Sequence, residues 1–416
     1  MRGLLRVAGW ALVGALCCGG LAPAAHAGGY DIPVLYSARN MGMGGTGVST
    51  VSSATALFMN PAGLGNVGKA SLLGDLSFIT GKLKASPGAP NQDIWSERTN
   101  APFFLVGGAY RVHPWFTVGL AVFPVAAASG TYRYELPGDS SPTFDKTRLT
   151  FIEIAPGVAM NIPAIGLSIG ASYRITVVRL ERVTRLTDGS NTSLDADLRG
   201  VNWASFRLGL QWRFTDNVAI GIAYRHRANT TLTSGSGTLA NTEVKDVSAR
   251  FKLPPRLSFG IRADYAWFGA AVDLEYGVNH ENRVTTIRVG GNDVTDNVFA
   301  WEDQLTLRTG LEARFLKHDR MAFRLGYIWD QKTTNRMFPT AFGTPPSSTH
   351  VGTVGLGYKQ GPWEANLAYA FRMGKAHVTE AEVAAGKPMC PLTCDEAGHY
   401  EMRLNGLYAD LSYDWR

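Results

Sequence analysis

From Gln304 to Phe315 the chain alternates. Leu305, Leu307, Thr309, Leu311, Ala313 and Phe315 fall on one face, and Gln304, Thr306, Arg308, Gly310, Glu312 and Arg314 on the other. The same rhythm carries Met321, Phe323, Leu325, Tyr327 and Trp329 against Ala322, Arg324 and Gly326. It returns with Trp363, Ala365, Leu367, Tyr369 and Phe371 against Glu364, Asn366 and Arg372, and again with Leu407, Ala409, Leu411, Tyr413 and Trp415 against Tyr408, Asp410, Ser412 and Asp414. A period of two predicts strands with one greasy and one polar face. Roughly fourteen such segments can be read along the chain.

A soluble sandwich also alternates, and three features separate the cases. Many segments exceed about ten residues, the polar faces mix charge with Gly and Ala as a barrel lumen does, and Trp and Tyr sit near strand ends as in interfacial girdles. The links sharpen the distinction. Tight links at residues 112–114, 161–163, 215–217, 265–267, 317–319 and 360–362 alternate with longer ones near 85–99, 131–147, 185–198, 231–246, 280–296, 333–348 and 375–398. Short turns on one side and long loops on the other predict an all-β fold, an antiparallel transmembrane β-barrel of about fourteen strands. Closure leaves no edge strand, as lipid requires. Two long uncharged stretches, residues 112–132 and 154–173, could suggest membrane helices, but Pro114, Pro124, Pro156 and Pro163 break them into strand–turn–strand units.

Composition agrees. The chain of 416 residues is 45% apolar and only 18% charged, with 47 Gly and 20 Pro. That favours sheets and turns over helices or disorder. The formal charge of +6 is modest, and its basic residues are spread rather than gathered in a patch, so nucleic acid is not an expected partner. Residues 1–27 read as a secretory signal peptide: Arg2 and Arg6, an apolar run to Leu16, and Ala25-His26-Ala27 ahead of a cut before Gly28. In an exported chain, Cys390 and Cys394 are expected to form one loop disulfide. No Cys/His set suggests a metal site, and neither H-E-x-x-H nor G-x-S-x-G occurs, so neither an enzyme nor a cofactor is expected.

Residues 28–69 do not alternate and are expected to form a separate N-terminal plug, or hatch, ahead of the barrel at 70–416. Ser52 or Ser53 is placed to cap a short helix through about Met59. Pro61 keeps Asn60 out of helical geometry, so the helix should stop there. Gly42-Met43-Gly44-Gly45-Thr46-Gly47 fits G-x-G-x-x-G formally, but without a βαβ unit its glycines are read as backbone turns.

The segments Ala38-Arg39-Asn40-Met41-Gly42-Met43-Gly44-Gly45 and Ala56-Leu57-Phe58-Met59-Asn60-Pro61-Ala62-Gly63-Leu64 resemble the FadL/TodX family of outer-membrane transport proteins. Further echoes are Leu253-Pro254-Pro255-Arg256-Leu257, Trp301-Glu302-Asp303 and Phe323-Arg324-Leu325-Gly326-Tyr327. The resemblance runs from about residue 30 to the end. It implies a monomeric fourteen-stranded barrel with an N-terminal hatch, in contact with outer-membrane lipid and lipopolysaccharide. The implied partner is a hydrophobic small molecule, a long-chain fatty acid or an aromatic hydrocarbon. Capture would occur at extracellular loops, here at Met337, Phe338 and Phe342. The trigger would lie at the N-terminus, at Gly28, Tyr30 and Ile32, and the hatch hinge at Asn60, Pro61 and Ala62. Sideways release would fall near the third strand, at Phe123, Pro124 and Val125. The inward charges, Asp273, Glu275, Arg308 and Arg324 among them, are expected to form cross-strand ion pairs. The competing expectation is a general, structural or adhesive barrel.

Overall fold

A computed structural model describes residue 30 and residues 36–316, 319–389 and 395–415. The signal segment, Gly28, Ile32, Cys390 and Cys394 lie outside the described residues. Fourteen antiparallel strands close on themselves. They are β1 (Ala70–Ala85), β2 (Thr99–His113), β3 (Phe116–Tyr134), β4 (Thr143–Ile162), β5 (Leu167–Tyr173 and Ile175–Leu186), β6 (Thr192–Asn202 and Phe206–Thr215) and β7 (Val218–Arg225 and Ala228–Leu239). They continue as β8 (Thr242–Leu253 and Arg256–Tyr265), β9 (Phe268–Gly277 and Val284–Val289), β10 (Asn292–Val298 and Gln304–Phe315), β11 (Met321–Asp330), β12 (Thr349–Gln360), β13 (Trp363–Val378) and β14 (Gly398–Trp415). Each strand pairs with the next, and β14 returns to β1 in register from Ala70 opposite Trp415 to Lys84 opposite Glu401.

The faces fall as the alternation predicts. Leu72, Leu76, Leu407 and Leu411 are at least half exposed on the outer surface, while Asp75, Ser77, Tyr408 and Asp410 are buried toward the lumen. Trp115, Trp267, Trp363 and Trp415 gather at the short-turn end, where Tyr413 packs between Trp363 at 4.6 Å and Trp415 at 4.3 Å between ring centroids. This is an interfacial girdle on one rim. No helix among the described residues is long and apolar enough to cross a membrane; the crossing elements are strands.

The long links differ from expectation. Much of 131–147, 185–198, 231–246 and 280–296 is strand, and β7 turns into β8 at Ala240 and Asn241, both at positive φ. The strands rise beyond the lipid-facing band. There the outer face meets water, so the greasy half of the alternation disappears while the ladder continues.

The lumen holds the hatch: helix α1 (Ala38–Gly42), helix α2 (Ala56–Met59) and a 3-10 turn (Pro61–Asn66). The residue preceding α2 is Thr55, not Ser52 or Ser53; the Ser53 hydroxyl instead accepts from the Thr55 N–H at 3.3 Å, bending the chain into the helix. Wall glycines make room for the hatch backbone. A Cβ on Gly355 would stand 2.8 Å from the Gly42 Cα, and one on Gly326 or Gly209 would collide with Gly44 and Asn60. These close approaches use wall glycines for their missing side chains rather than for φ freedom.

Candidate functional site

Asn60 fixes the hatch to the wall. Its backbone is extended, Pro61 opens the following 3-10 turn, and its side-chain oxygen accepts from the Ala62 N–H at 3.2 Å, a cap made by the Asn-Pro-Ala sequence. Its amide donates to the carbonyls of Val48 at 2.6 Å, Leu210 at 3.0 Å and Ile222 at 3.3 Å. One fully buried side chain thus ties two hatch segments to β6 and β7. Ala62 is held from the wall by the Ser168 hydroxyl, which donates to its carbonyl at 2.6 Å.

Wall carboxylates take the hatch N–H groups. Asp75 accepts from Ala38 at 3.1 Å and Asp410 from Arg39 at 3.0 Å. Asp273 accepts from both Gly47 at 2.8 Å and Val48 at 3.0 Å, so it serves the hatch although Arg308 stands opposite in register. The ion-pair expectation holds for its neighbours. Glu275 bonds Arg256 at 2.7 Å and Arg308 at 3.0 Å, and Glu312 bonds Arg262 at 2.7 Å and Arg324 at 2.8 Å. Asn60→Ala removes the tie to the hatch carbonyl and the cap. The expected loss is about 2 kcal/mol of docking, seen as roughly 30-fold faster hydrogen exchange at the Gly47 and Val48 amides with the barrel ladders unchanged.

The wall is incomplete between β2 and β3. Their ladder runs from His113 opposite Phe116 to Val106 opposite Val122 and stops. Above this point β2 stays paired to β1 as far as Thr99, and β3 to β4 as far as Tyr134. The strands therefore diverge, leaving a window in the wall. Its top is closed by the Glu97 N–H donating to the Thr131 carbonyl at 2.7 Å and by Arg133 on Glu97 at 2.8 Å. At its base lies the irregularity between Pro124 and Ala126, where Pro124 supplies no ladder donor.

A cavity of about 450 Å³ runs through this window. Its inner lining includes Met41 of the hatch, Phe103, Ala128, Leu149, Ala370 and Tyr408; its outer lining includes Pro102, Phe104, Ser129 and Ile152. Lumen-facing and lipid-facing residues border one continuous space. The hatch meets its edge, for the Tyr36 hydroxyl donates to the Pro124 carbonyl at 2.9 Å. Tyr36, Phe58 and Phe123 form an edge-to-face aromatic cluster, with Phe58 lying 5.4 Å from Tyr36 and 5.3 Å from Phe123 between ring centroids. Val125 borders a second, smaller cavity of about 50 Å³ lined by Phe58, Met59, Arg207, Arg225, Arg256 and Arg308. The structure thus brings Phe123, Pro124 and Val125 to the hatch. Sequence alone offered only Pro124 as a signal of the window, while Tyr36 carried none.

Other predicted residues fall elsewhere. Tyr30 is buried deep in the lumen. Met337 and Phe338 pack with Val298 and Ala300, whereas Phe342 lies 5.6 Å from Tyr132 in a separate loop cluster with Ala341. Asp395 adjoins that cluster and accepts from the Ala341 N–H. Burial lifts the Asp395 carboxyl to about 7, against the opposing pull of that N–H and of Arg182. An acid raised in the folded state stabilises the packing below its ordinary range, and this contribution fades as pH rises through the folded value. Between pH 4 and 7 the loop cluster should lose about 2 kcal/mol relative to an Asp395→Asn variant, measured as diverging thermal midpoints.

A closed barrel with its own plug and a cavity opening through the wall defines a class: a plugged transmembrane channel. The family model described as outer membrane protein transport protein (OMPP1/FadL/TodX) matches residues 20–395, and the chain belongs to this family of outer-membrane transport proteins for hydrophobic small molecules. It is located in the outer membrane. Among solved structures, it is similar to a Pseudomonas aeruginosa FadL homologue at 14% identity, covering 94% of this chain and 100% of that one, with a TM-score of 0.77. The Pseudomonas putida toluene transporter TodX is similar at 15% identity, 92% and 99% coverage and a TM-score of 0.66. The Ralstonia pickettii toluene transporter TbuX follows at 18% identity, 92% and 99% coverage and a TM-score of 0.63. No curated protein matches the sequence significantly.

Proposed function

We propose that this chain is a monomeric channel for passive uptake of hydrophobic compounds, long-chain fatty acids or aromatic hydrocarbons. Solute is captured at the loops, admitted past the hatch and released sideways into the membrane. The observation carrying this reading is the window between β2 and β3 with its through-wall cavity. An apolar solute gains nothing from a wide aqueous pore; it needs an apolar pocket and an exit into lipid. The exit faces the lipid-exposed Phe104 and Pro102, outside the polar lumen. Asn60, Pro61 and Ala62 hold the hatch in place, and Tyr36 joins it to the window edge. The filled lumen argues against a general diffusion pore, and an adhesive barrel has no use for a gap in its wall.

Uptake of labelled oleate and of toluene, by cells lacking their own carrier and expressing the full chain, tests the reading. Expected is uptake of at least one of them, altered by Asn60→Ala at equal surface levels. Absence of both from protein folded in the outer membrane would overturn it.

A further inference from the structure

On the outer face of the seam, β1 and β14 present matched pairs. Phe78 stands opposite Leu407, Thr80 opposite Asn405 and Lys82 opposite Arg403. Upward from the short-turn end, the tiers therefore run apolar, neutral polar, cationic. From Leu72 to Lys82 the strand rises about 33 Å along its own axis, or about 25 Å along the barrel at a tilt near 40°, which is the height of an apolar band. The cationic tier thus forms a ledge at the upper border of the lipid-facing surface.

The ledge carries more positive charge than its own acids offset. Lys82 and Arg403 are both exposed, and two like charges directly opposite repel. Arg403 pairs with Glu401, but Lys375 of β13 shares the same carboxylate oxygen at 3.3 Å. Lys84 reaches Asp93 only at 4.0 Å, and His399 already holds that acid at 2.7 Å. Trp95, opposite Lys84 in register, fixes the height of the cations: its ring centroid lies 5.2 Å from the Arg403 guanidinium and 5.8 Å from the Lys84 Nζ.

We infer that this ledge seats the phosphorylated disaccharide head of lipopolysaccharide, with phosphates on the cations and acyl chains along Phe78 and Leu407. The tiers match the strata of that lipid: hydrocarbon, then amide and ester linkages, then phosphate. A phosphate between Lys82 and Arg403 turns their repulsion into two charge-assisted contacts. The cations span two strand spacings from β13 to β1, about 10 Å. A headgroup with a phosphate at each end of a disaccharide meets both sides of the ledge, and a glycerophospholipid meets one. The ledge also lies at the long-loop end, the extracellular side of such barrels, where this lipid resides. The inference does not depend on which solute the channel carries.

The test is calorimetric titration of the purified full-length protein in micelles with bisphosphoryl lipid A, dephosphorylated lipid A and phosphatidylglycerol. Bisphosphoryl lipid A should bind at least about tenfold tighter than either other lipid. The pair Lys82→Gln and Arg403→Gln should weaken it by roughly tenfold or more, the loss of about one charge-assisted contact. Lys82→Arg should retain binding. The pair Arg227→Gln and Arg288→Gln removes two exposed charges on the opposite side of the barrel and should leave binding unchanged. Circular dichroism confirms the barrel in each variant. Unaltered lipid A binding in the seam pair, an equal loss in the far-side pair, or phosphatidylglycerol binding as tightly as lipid A would each overturn the inference.

Discussion

Replacing Glu153 with glutamine is expected to destabilise the barrel by about 3–5 kcal/mol. Glu153 is fully buried on β4 and bonds two arginines at once. Arg174 lies at the break in β5, fully buried, with its Nε donating to Glu153 at 2.8 Å and its Nη1 to the Ser205 hydroxyl at 2.7 Å and to the His226 carbonyl. Arg207 donates to the other carboxylate oxygen at 3.2 Å and to the Leu57 carbonyl of the hatch. The cluster closes the points where β5, β6 and β7 are interrupted and joins them to α2. Glutamine keeps the shape but leaves two buried cations without a compensating charge, the costly way to break an ion pair. Reversible urea unfolding in micelles measures the loss. Adding Arg207→Met to Glu153→Gln should recover part of it, because one uncompensated cation is removed. A loss below about 1 kcal/mol would mean that the cluster behaves like a solvated surface pair.

Closing the window should sharply reduce uptake without unfolding the barrel. Ala128 lines the through-wall cavity, and its backbone pairs with Leu149 of β4, away from the gap. An indole at this position projects into space that the structure leaves open, so Ala128→Trp keeps the ladder while filling the passage. Uptake of whichever solute the unaltered channel carries is expected to fall by roughly tenfold or more, as expected when a preformed pocket is blocked. Ala365→Trp is the control, since Ala365 lies on the outer face of β13 among lipid-facing residues and should leave uptake unchanged. Normal uptake through the Ala128→Trp barrel would place the exit elsewhere.

How much of this was legible depended on the distance over which each contact acts. Strand faces were readable because lipid and lumen impose opposite demands every second residue; Leu407 to Trp415 follows the rule to the end of the barrel. The same signal vanished above the membrane, where β7 and β8 extend in water and polar strand resembles polar loop. Asn60 was readable because its cap on Ala62 is local, but its ties to Leu210 and Ile222 lie about 150 residues along the chain. Asp273 looked like a partner for Arg308 by register, yet the hatch N–H groups claim it, and only the folded lumen brings them within reach. The window had one local sign, Pro124. Its other cause, the divergence of β2 from β3, is a property of pairing that no single residue carries.

Asp75 and Asp410 face each other across the junction of the first and last strands. Alone, two opposed carboxylates would push that junction apart. Each instead holds one of two consecutive hatch N–H groups, Ala38 and Arg39, which sit between them. The seam and the plug are thus coupled: the hatch turn supplies donors to the two carboxylates that the closed seam sets opposite each other. The stopper is therefore also a clasp, and a chain lacking that turn would leave both acids at the seam without these N–H partners.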